Sequence, residues 1–191
     1  MKKYLIGMFI LMSSILTLAE YKYPFQNPNV ATIIGSSTLM TEGVTTKVPV
    51  KEYKITLPWS EPVPENFWYN EGFKFSLVSQ NKKAPLVFLL AGTGSAHNSI
   101  RMEYFQRIFY DAGYHVVSIS SPMNSNFVIN ASTSKMPGMI VEDSEDIYKV
   151  MKEINKKISD EVEISDYYLV GYSLGVTLLY TLTAGRDIYF S

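Results

Sequence analysis

The chain has 191 residues, 47% of them apolar and 14% aromatic, and a formal net charge of -1. That length and apolar content suit one domain with a full core, and they exclude a disordered chain or a polyelectrolyte. The charges are mixed along the sequence with no basic run, which excludes a nucleic-acid partner of the usual electrostatic kind.

The N-terminus has its own character. Lys2 and Lys3 precede an apolar run from Tyr4 to Leu18, and Thr17 and Ala19 fill the small-residue positions before a cut between Ala19 and Glu20. This is the pattern of a secretory signal peptide. It predicts residues 1–19 as a removable signal and a secreted or periplasmic protein. The run is short for a bilayer span, which needs roughly 20 apolar residues, so membrane attachment is expected only if the signal stays uncleaved. The chain has no cysteine, so it has neither a disulfide nor a lipidation site after the signal, and it must rely on its core.

Residues 20–46 are polar and turn-rich around one apolar patch, Val30–Ile34, and read as an N-terminal extension. The remainder, 47–191, reads as the folded core. Val50–Leu57 and Phe73–Val78 alternate apolar and polar residues, as half-buried strands do. Between them Leu57–Gly72 carries three prolines and reads as loop. Asn81–Pro85 reads as a turn. Leu86–Gly92 is an unbroken apolar run, expected of a strand buried on both faces. Tyr104, Phe105, Ile108, Phe109 and Ala112 recur at helical spacing within 100–112, and Gly113 supplies a stop. Tyr114–Ser121 is the next strand, followed by a long loop over 122–139. Ile147, Val150, Met151, Ile154 and Ile158 mark one face of a helix from about Val141 to Ile158, whose acidic start suits a helix N-terminus. Tyr167–Gly171 is another buried strand, and a helix follows to Gly185. From Leu86 onward strand and helix alternate three times. That order predicts an α/β protein, a three-layer sandwich with a mostly parallel sheet and helices on both faces.

Gly171-Tyr172-Ser173-Leu174-Gly175 matches G-x-S-x-G, directly after a buried strand and directly before a helix. Five residues alone are weak evidence, and the strand–turn–helix context is what makes them specific. A turn this tight strains the serine backbone and brings the residues two before and two after it against their neighbours, where only glycine fits. The helix start offers free N–H groups and a positive dipole end to a developing oxyanion. The competing reading is that Ser173 merely caps a helix. A second stretch, Leu86–Ser99, runs from a buried strand through a Gly-rich loop into a helix. As a phosphate cradle it lacks the G-x-G-x-x-G spacing, because the third glycine position is His97, and it carries no Walker pattern.

With these two stretches the chain from about Val50 to Gly185 resembles the first half of an α/β-hydrolase. The resemblance implies that the loop after Leu90 supplies one oxyanion-hole donor, the N–H of Thr93, and that the N–H of Leu174 supplies the other. Ala91 stands where many members of the family have histidine. The resemblance also implies that the strand ending at Gly92 lies beside the one ending at Gly171, and that acid and base follow the serine, histidine last. After Ser173 the chain has only Asp187 and no histidine. Asp187 follows a helix and belongs at the opposite sheet edge. His115 opens a strand after a helix and belongs there too. His97 lies on the serine's side, as a possible pocket residue or base. In the family's order the strand bearing Gly171 lies mid-sheet, so the chain is expected to be incomplete at its C-terminus, with Asp187–Ser191 beginning a further strand.

These readings predict an exported serine hydrolase, of esterase, lipase or thioesterase type, with Ser173 as nucleophile and its base and acid outside this chain. It would act on a small-molecule or acyl-ester substrate and needs no cofactor or metal. The alternatives are a non-catalytic exported binding domain that kept the frame, and an acyltransferase using the same residues. Met123, Phe127, Val128, Ile129, Met136 and Met139 are expected either to line an acyl pocket or lid, or to anchor their loop.

Overall fold

A computed structural model describes residues 27–30, 47–184 and 187–190. The chain divides into two units, Met1–Glu42 and Gly43–Ser191. In the first, the described residues are one helical turn in which Asn27 Oδ1 accepts the N–H groups of Asn29 (2.9 Å) and Val30 (3.2 Å). The signal-peptide reading of residues 1–19 and most of the 20–46 extension lie outside the described residues. No described helix is long and apolar enough to cross a membrane.

The second unit is built on five strands: β1 (Val50–Ile55), β2 (Phe73–Val78), β3 (Ala84–Leu90), β4 (His115–Ile119) and β5 (Ile164–Gly171). Four helices accompany them: α1 (Ile100–Asp111), α2 (Ser125–Asn130), α3 (Ile140–Ile158) and α4 (Leu174–Thr183). The sheet order is β1-β2-β4-β3-β5. Strand β2 is antiparallel to β1 and to β4, while β4, β3 and β5 are mutually parallel, so four strands run one way and β2 runs against them.

The side-chain period of two sorts β3 between two cores. Leu86, Phe88 and Leu90 face one cluster, together with Ile147, Val150, Met151 and Ile154 of α3 and Leu178 and Leu182 of α4. Val87, Leu89 and Ala91 face the other, with Met102, Phe105 and Phe109 of α1. That split is why the run Leu86–Leu90 is apolar throughout: both faces of the strand are covered by helices. The expected three-layer arrangement is the one observed. The described α3 face, with Ile147, Val150, Met151, Ile154 and Ile158 fully buried, matches the helical spacing read from the sequence.

Several local expectations need correction. Tyr167–Gly171, read as a buried strand, is a strand but not a buried one: Tyr167 and Tyr168 are exposed and Leu169 to Gly171 are half-buried, because β5 is covered on one edge only. Ala84–Pro85 belongs to β3 and not to a turn. Ala84 N–H donates to Glu163 O (3.1 Å), and a register shift between Ala84 and Leu86 lets the sheet accommodate a proline with no N–H. The loop 57–72 contains a 3-10 helix, Glu65–Asn70. The loop 122–139 contains α2, whose N-cap Asn124 accepts the Asn126 N–H (3.1 Å). Its last carbonyls are taken from afar: Ser60 Oγ donates to Asn130 O (2.7 Å) and Trp59 Nε1 to Ala131 O (2.9 Å). Two side chains fasten α2 to the sheet: Asn126 Oδ1 accepts the Lys74 N–H of β2 (2.9 Å), and Phe127 is fully buried edge-on against Phe73, with ring centroids 5.7 Å apart.

Among the described residues β5 pairs only with β3 and forms the outer strand of the sheet. The segment 187–190 is not a strand. Its carbonyls accept from side chains, Tyr148 Oη to Tyr189 O (2.7 Å) and Asn155 Nδ2 to Phe190 O (2.8 Å), and Phe190 stacks on Tyr167 and Phe88.

Candidate active site

The site grows from one backbone distortion. Strand β5 ends at Gly171, α4 begins at Leu174, and Ser173 between them has φ 54° and ψ -128°. An L residue reaches that region only with strain of order 1–3 kcal/mol, because its Cβ crowds the backbone. The turn is closed at once by helical bonds: Gly175 N–H donates to Tyr172 O and Val176 N–H to Ser173 O, each at 3.0 Å. Ser173 is exposed and makes no side-chain capping bond. A serine serving only as a helix cap has an extended backbone and its hydroxyl on the N–H of the second or third helical residue. Ser173 has neither.

The glycines on either side have measurable reasons. A Cβ on Gly171 would lie 2.5 Å from Gly175 C and 2.7 Å from its O. One on Gly175 would lie 2.6 Å from Leu90 O, the last carbonyl of β3. Both obstacles are backbone and cannot rotate away. Position 171 needs glycine so that the helix can fold back over the turn, and position 175 so that the helix can sit on β3.

The loop after β3 meets this turn. A Cβ on Gly92 would be 3.0 Å from Ser173 Cβ and 2.7 Å from Tyr172 Cε2. Gly92 is buried, and Ser95 N–H donates to Gly92 O (3.0 Å), closing a turn with Thr93 and Gly94 at its two central positions. Gly94 has φ +69°, the left-handed value that such a turn asks of its third residue. The turn leaves the Thr93 N–H out of its own bonding. Leu174, first in α4, carries an N–H with no acceptor inside the helix. The strand pairing Leu90↔Gly171 therefore brings the Thr93 loop and the Ser173 turn to one edge of the sheet, as the sequence resemblance implied.

Tyr172 wedges the turn from the other side. Its ring packs on Phe105 (centroids 5.8 Å apart), and the Arg101 guanidinium lies 5.3 Å from the ring centroid, so α1 braces the turn.

Neither histidine is hydrogen-bonded to Ser173. His115 is buried at the start of β4; its Nδ1 accepts the Gln80 N–H (3.0 Å) and its Nε2 lies 3.2 Å from Glu163 O. His97 is buried too, with Nδ1 2.6 Å from Ser76 Oγ. Burial holds both rings below the usual histidine range. Asp187 is exposed and accepts from Tyr189 Oη (3.1 Å), in the segment that packs on Asn155 and Tyr167. Of the loop residues expected at a pocket or as anchors, Phe127 is core, while Met136 and Met139 are exposed. Among the described residues no group of acidic or histidine side chains could hold a metal ion.

Sequence reasoning missed a polar network on the α1 side of the sheet. Ser76 of β2, His97, Ser118, Ser120 and Gln106 of α1 are all buried, and Gln106 Nε2 donates to Ser118 Oγ (2.7 Å). Its trace in the sequence is a pair of serines two apart, Ser118 in β4 and Ser120 just after it, in an otherwise apolar stretch from Val116.

The sheet order, the parallel β4-β3-β5 core and the serine turn after β5 settle the architecture. The fold is that of an α/β-hydrolase. Solved structures similar to this chain include a dienelactone hydrolase from Anabaena variabilis, with 19% identity and a TM-score of 0.48 over 72% of this chain and 58% of that one. A CE1 ferulic acid esterase from Anaeromyces mucronatus, in complex with ferulic acid, is 18% identical with a TM-score of 0.49, over 77% and 57%. A cold-adapted esterase from an Arctic intertidal metagenomic library is 12% identical with a TM-score of 0.46, over 76% and 60%. The chain thus spans 57 to 60% of the length of these structures. No family model matches the sequence, and no curated protein does.

Proposed function

We propose that the chain is the nucleophile-bearing part of an exported serine hydrolase acting on an ester, thioester or amide. Ser173 Oγ attacks the carbonyl carbon and its proton passes to a base. The carbonyl oxygen, now anionic, is held by the N–H groups of Thr93 and Leu174. The leaving group departs with the proton from the base, and water then releases the acyl group from Ser173. The observation that carries this reading is the strained backbone of Ser173, kept by two glycines that tolerate no Cβ. Strain of that kind is retained where a reacting group must be presented, and a helix cap or an inert binding frame has no use for it.

His97 and His115 are both buried and hydrogen-bonded to other residues, so on this reading neither serves Ser173 as its base. Covalent labelling of the full-length gene product by a fluorophosphonate tests the nucleophile. Ser173→Ala is expected to abolish labelling, and equal labelling of the two proteins counts against the reading. Export rests on the Lys2-Lys3, apolar-run and Thr17-x-Ala19 pattern. N-terminal sequencing of the secreted or periplasmic protein is expected to start at Glu20. A start at Met1 argues for retention.

A further inference from the structure

We propose that His97 is a positioning residue for the loop that carries Thr93. The proposal rests on the reading of Ser173 as nucleophile and extends it to how the opposing donor is held.

The loop from Gly92 to Asn98 has two glycines, and Gly94 is in a left-handed conformation. Left to itself such a segment samples many backbone states. A donor to an oxyanion is useful only if it is already aimed before charge develops, so the loop needs fixed points. His97 provides two. Its ring Nδ1 lies 2.6 Å from Ser76 Oγ on β2, and its backbone N–H donates to Ser120 Oγ (2.9 Å) just after β4. Both serines are fully buried and His97 is 5% exposed, so water does not compete for these bonds. β2 and β4 are neighbours in the sheet, paired antiparallel from Phe75↔Ile119 to Val78↔Val116. One residue therefore staples the loop to two adjacent strands of the rigid core. A third tie, Ser121 N–H to Ser95 O (2.9 Å), holds the middle of the loop.

His97 is enclosed in the α1-side layer with its Nδ1 bonded to Ser76, and its role is exerted through the backbone of the loop. A leucine at 97 would fill similar space and keep the backbone bond to Ser120, but would lose the ring bond and leave Ser76 Oγ buried without it. An asparagine places a side-chain polar atom close to where the imidazole Nδ1 stands, and so restores the tie to Ser76.

Two readouts on His97→Leu, His97→Asn and Ser173→Ala test the proposal. The first is fluorophosphonate labelling of the full-length product, in which Ser173 Oγ bonds to phosphorus, fluoride leaves and the serine proton goes to the base. His97→Leu is expected to lower the maximal labelling rate by roughly 10- to 100-fold with the half-saturating concentration little changed, since a misaimed donor costs the transition state more than the encounter. His97→Asn is expected to recover most of that loss. The second is hydrogen exchange at the amides of Thr93 to His97, which does not depend on chemistry at Ser173. Exchange there is expected to quicken in His97→Leu, with β3 and α1 unchanged, and to return toward wild type in His97→Asn. Unchanged labelling and unchanged local exchange in His97→Leu overturn the proposal while leaving the nucleophile in place. So does a loss of protection across the whole domain that asparagine fails to rescue. Labelling that survives in Ser173→Ala overturns the nucleophile reading, and the proposal with it.

Discussion

Replacing Ser173 by glycine should stabilise the protein relative to Ser173→Ala, although both changes remove the same hydroxyl. Alanine keeps a Cβ in the φ 54°, ψ -128° conformation, and glycine removes it. Relief of that strain is worth about 1–3 kcal/mol. Glycine gives back about 0.4–1 kcal/mol through the greater freedom of its unfolded chain. The difference favours glycine by about 1 kcal/mol, and for a domain of this size that raises the melting temperature by roughly 2–4 °C. Urea unfolding of the two variants, followed by far-UV circular dichroism with the slopes compared, measures it. An alanine variant as stable as the glycine variant, or more so, would show that Ser173 is not strained, and the argument from strain to nucleophile would lose its foundation.

Gly175→Ala puts a methyl group 2.6 Å from Leu90 O, and since that methyl has no torsion to turn away and its neighbour is backbone, the start of α4 must lift from β3. A loss of about 1–3 kcal/mol in urea unfolding is expected, with fluorophosphonate labelling strongly reduced. Phe127→Ala removes the ring that packs edge-on against Phe73 and should cost about 3–5 kcal/mol in the same assay, because the 57–72 loop cannot collapse onto the gap while Trp59 and Ser60 hold α2 by its carbonyls. Burial keeps His97 neutral below the ordinary value of 6.5, so the unfolded chain takes up its proton first as pH falls. The stability this ring contributes is full above about pH 6.5 and is lost as pH drops from there toward the folded value. The urea midpoint should therefore fall more between pH 7.5 and pH 5.5 in wild type than in His97→Asn; equal falls would refute it. Asp143, whose carboxyl burial shifts upward, acts with the opposite sign but equally in both proteins and cancels in the comparison.

How much the sequence disclosed depended on how local the cause was. The strand over 73–78 follows from period-two alternation and stands where expected, while the unbroken apolar run 86–92 marks a strand that the structure places two residues earlier at each end, at Ala84–Leu90. Ser173, Gly171 and Gly175 were legible because the strain and both obstructions arise within a few residues of the turn or against the strand beside it. Helix α2 was not, since three Asn, three Ser, two Pro and a Gly interrupt 122–139, and its last carbonyls are satisfied by Trp59 and Ser60, some 70 residues earlier. Pro85 argued for a turn, and only the register shift in the β3–β5 pairing shows how a strand tolerates it. His97 bonds to Ser76, 21 residues away on an antiparallel strand, a juxtaposition that no spacing in the sequence encodes.

The most direct test of the central claim is a crystal structure of the full-length product after reaction with a fluorophosphonate. Phosphorus is expected on Ser173 Oγ, with the phosphonyl oxygen about 2.7–3.1 Å from both the Thr93 and Leu174 nitrogens. A phosphonyl group on another residue, or one on Ser173 whose oxygen points away from those two N–H groups, would contradict the account.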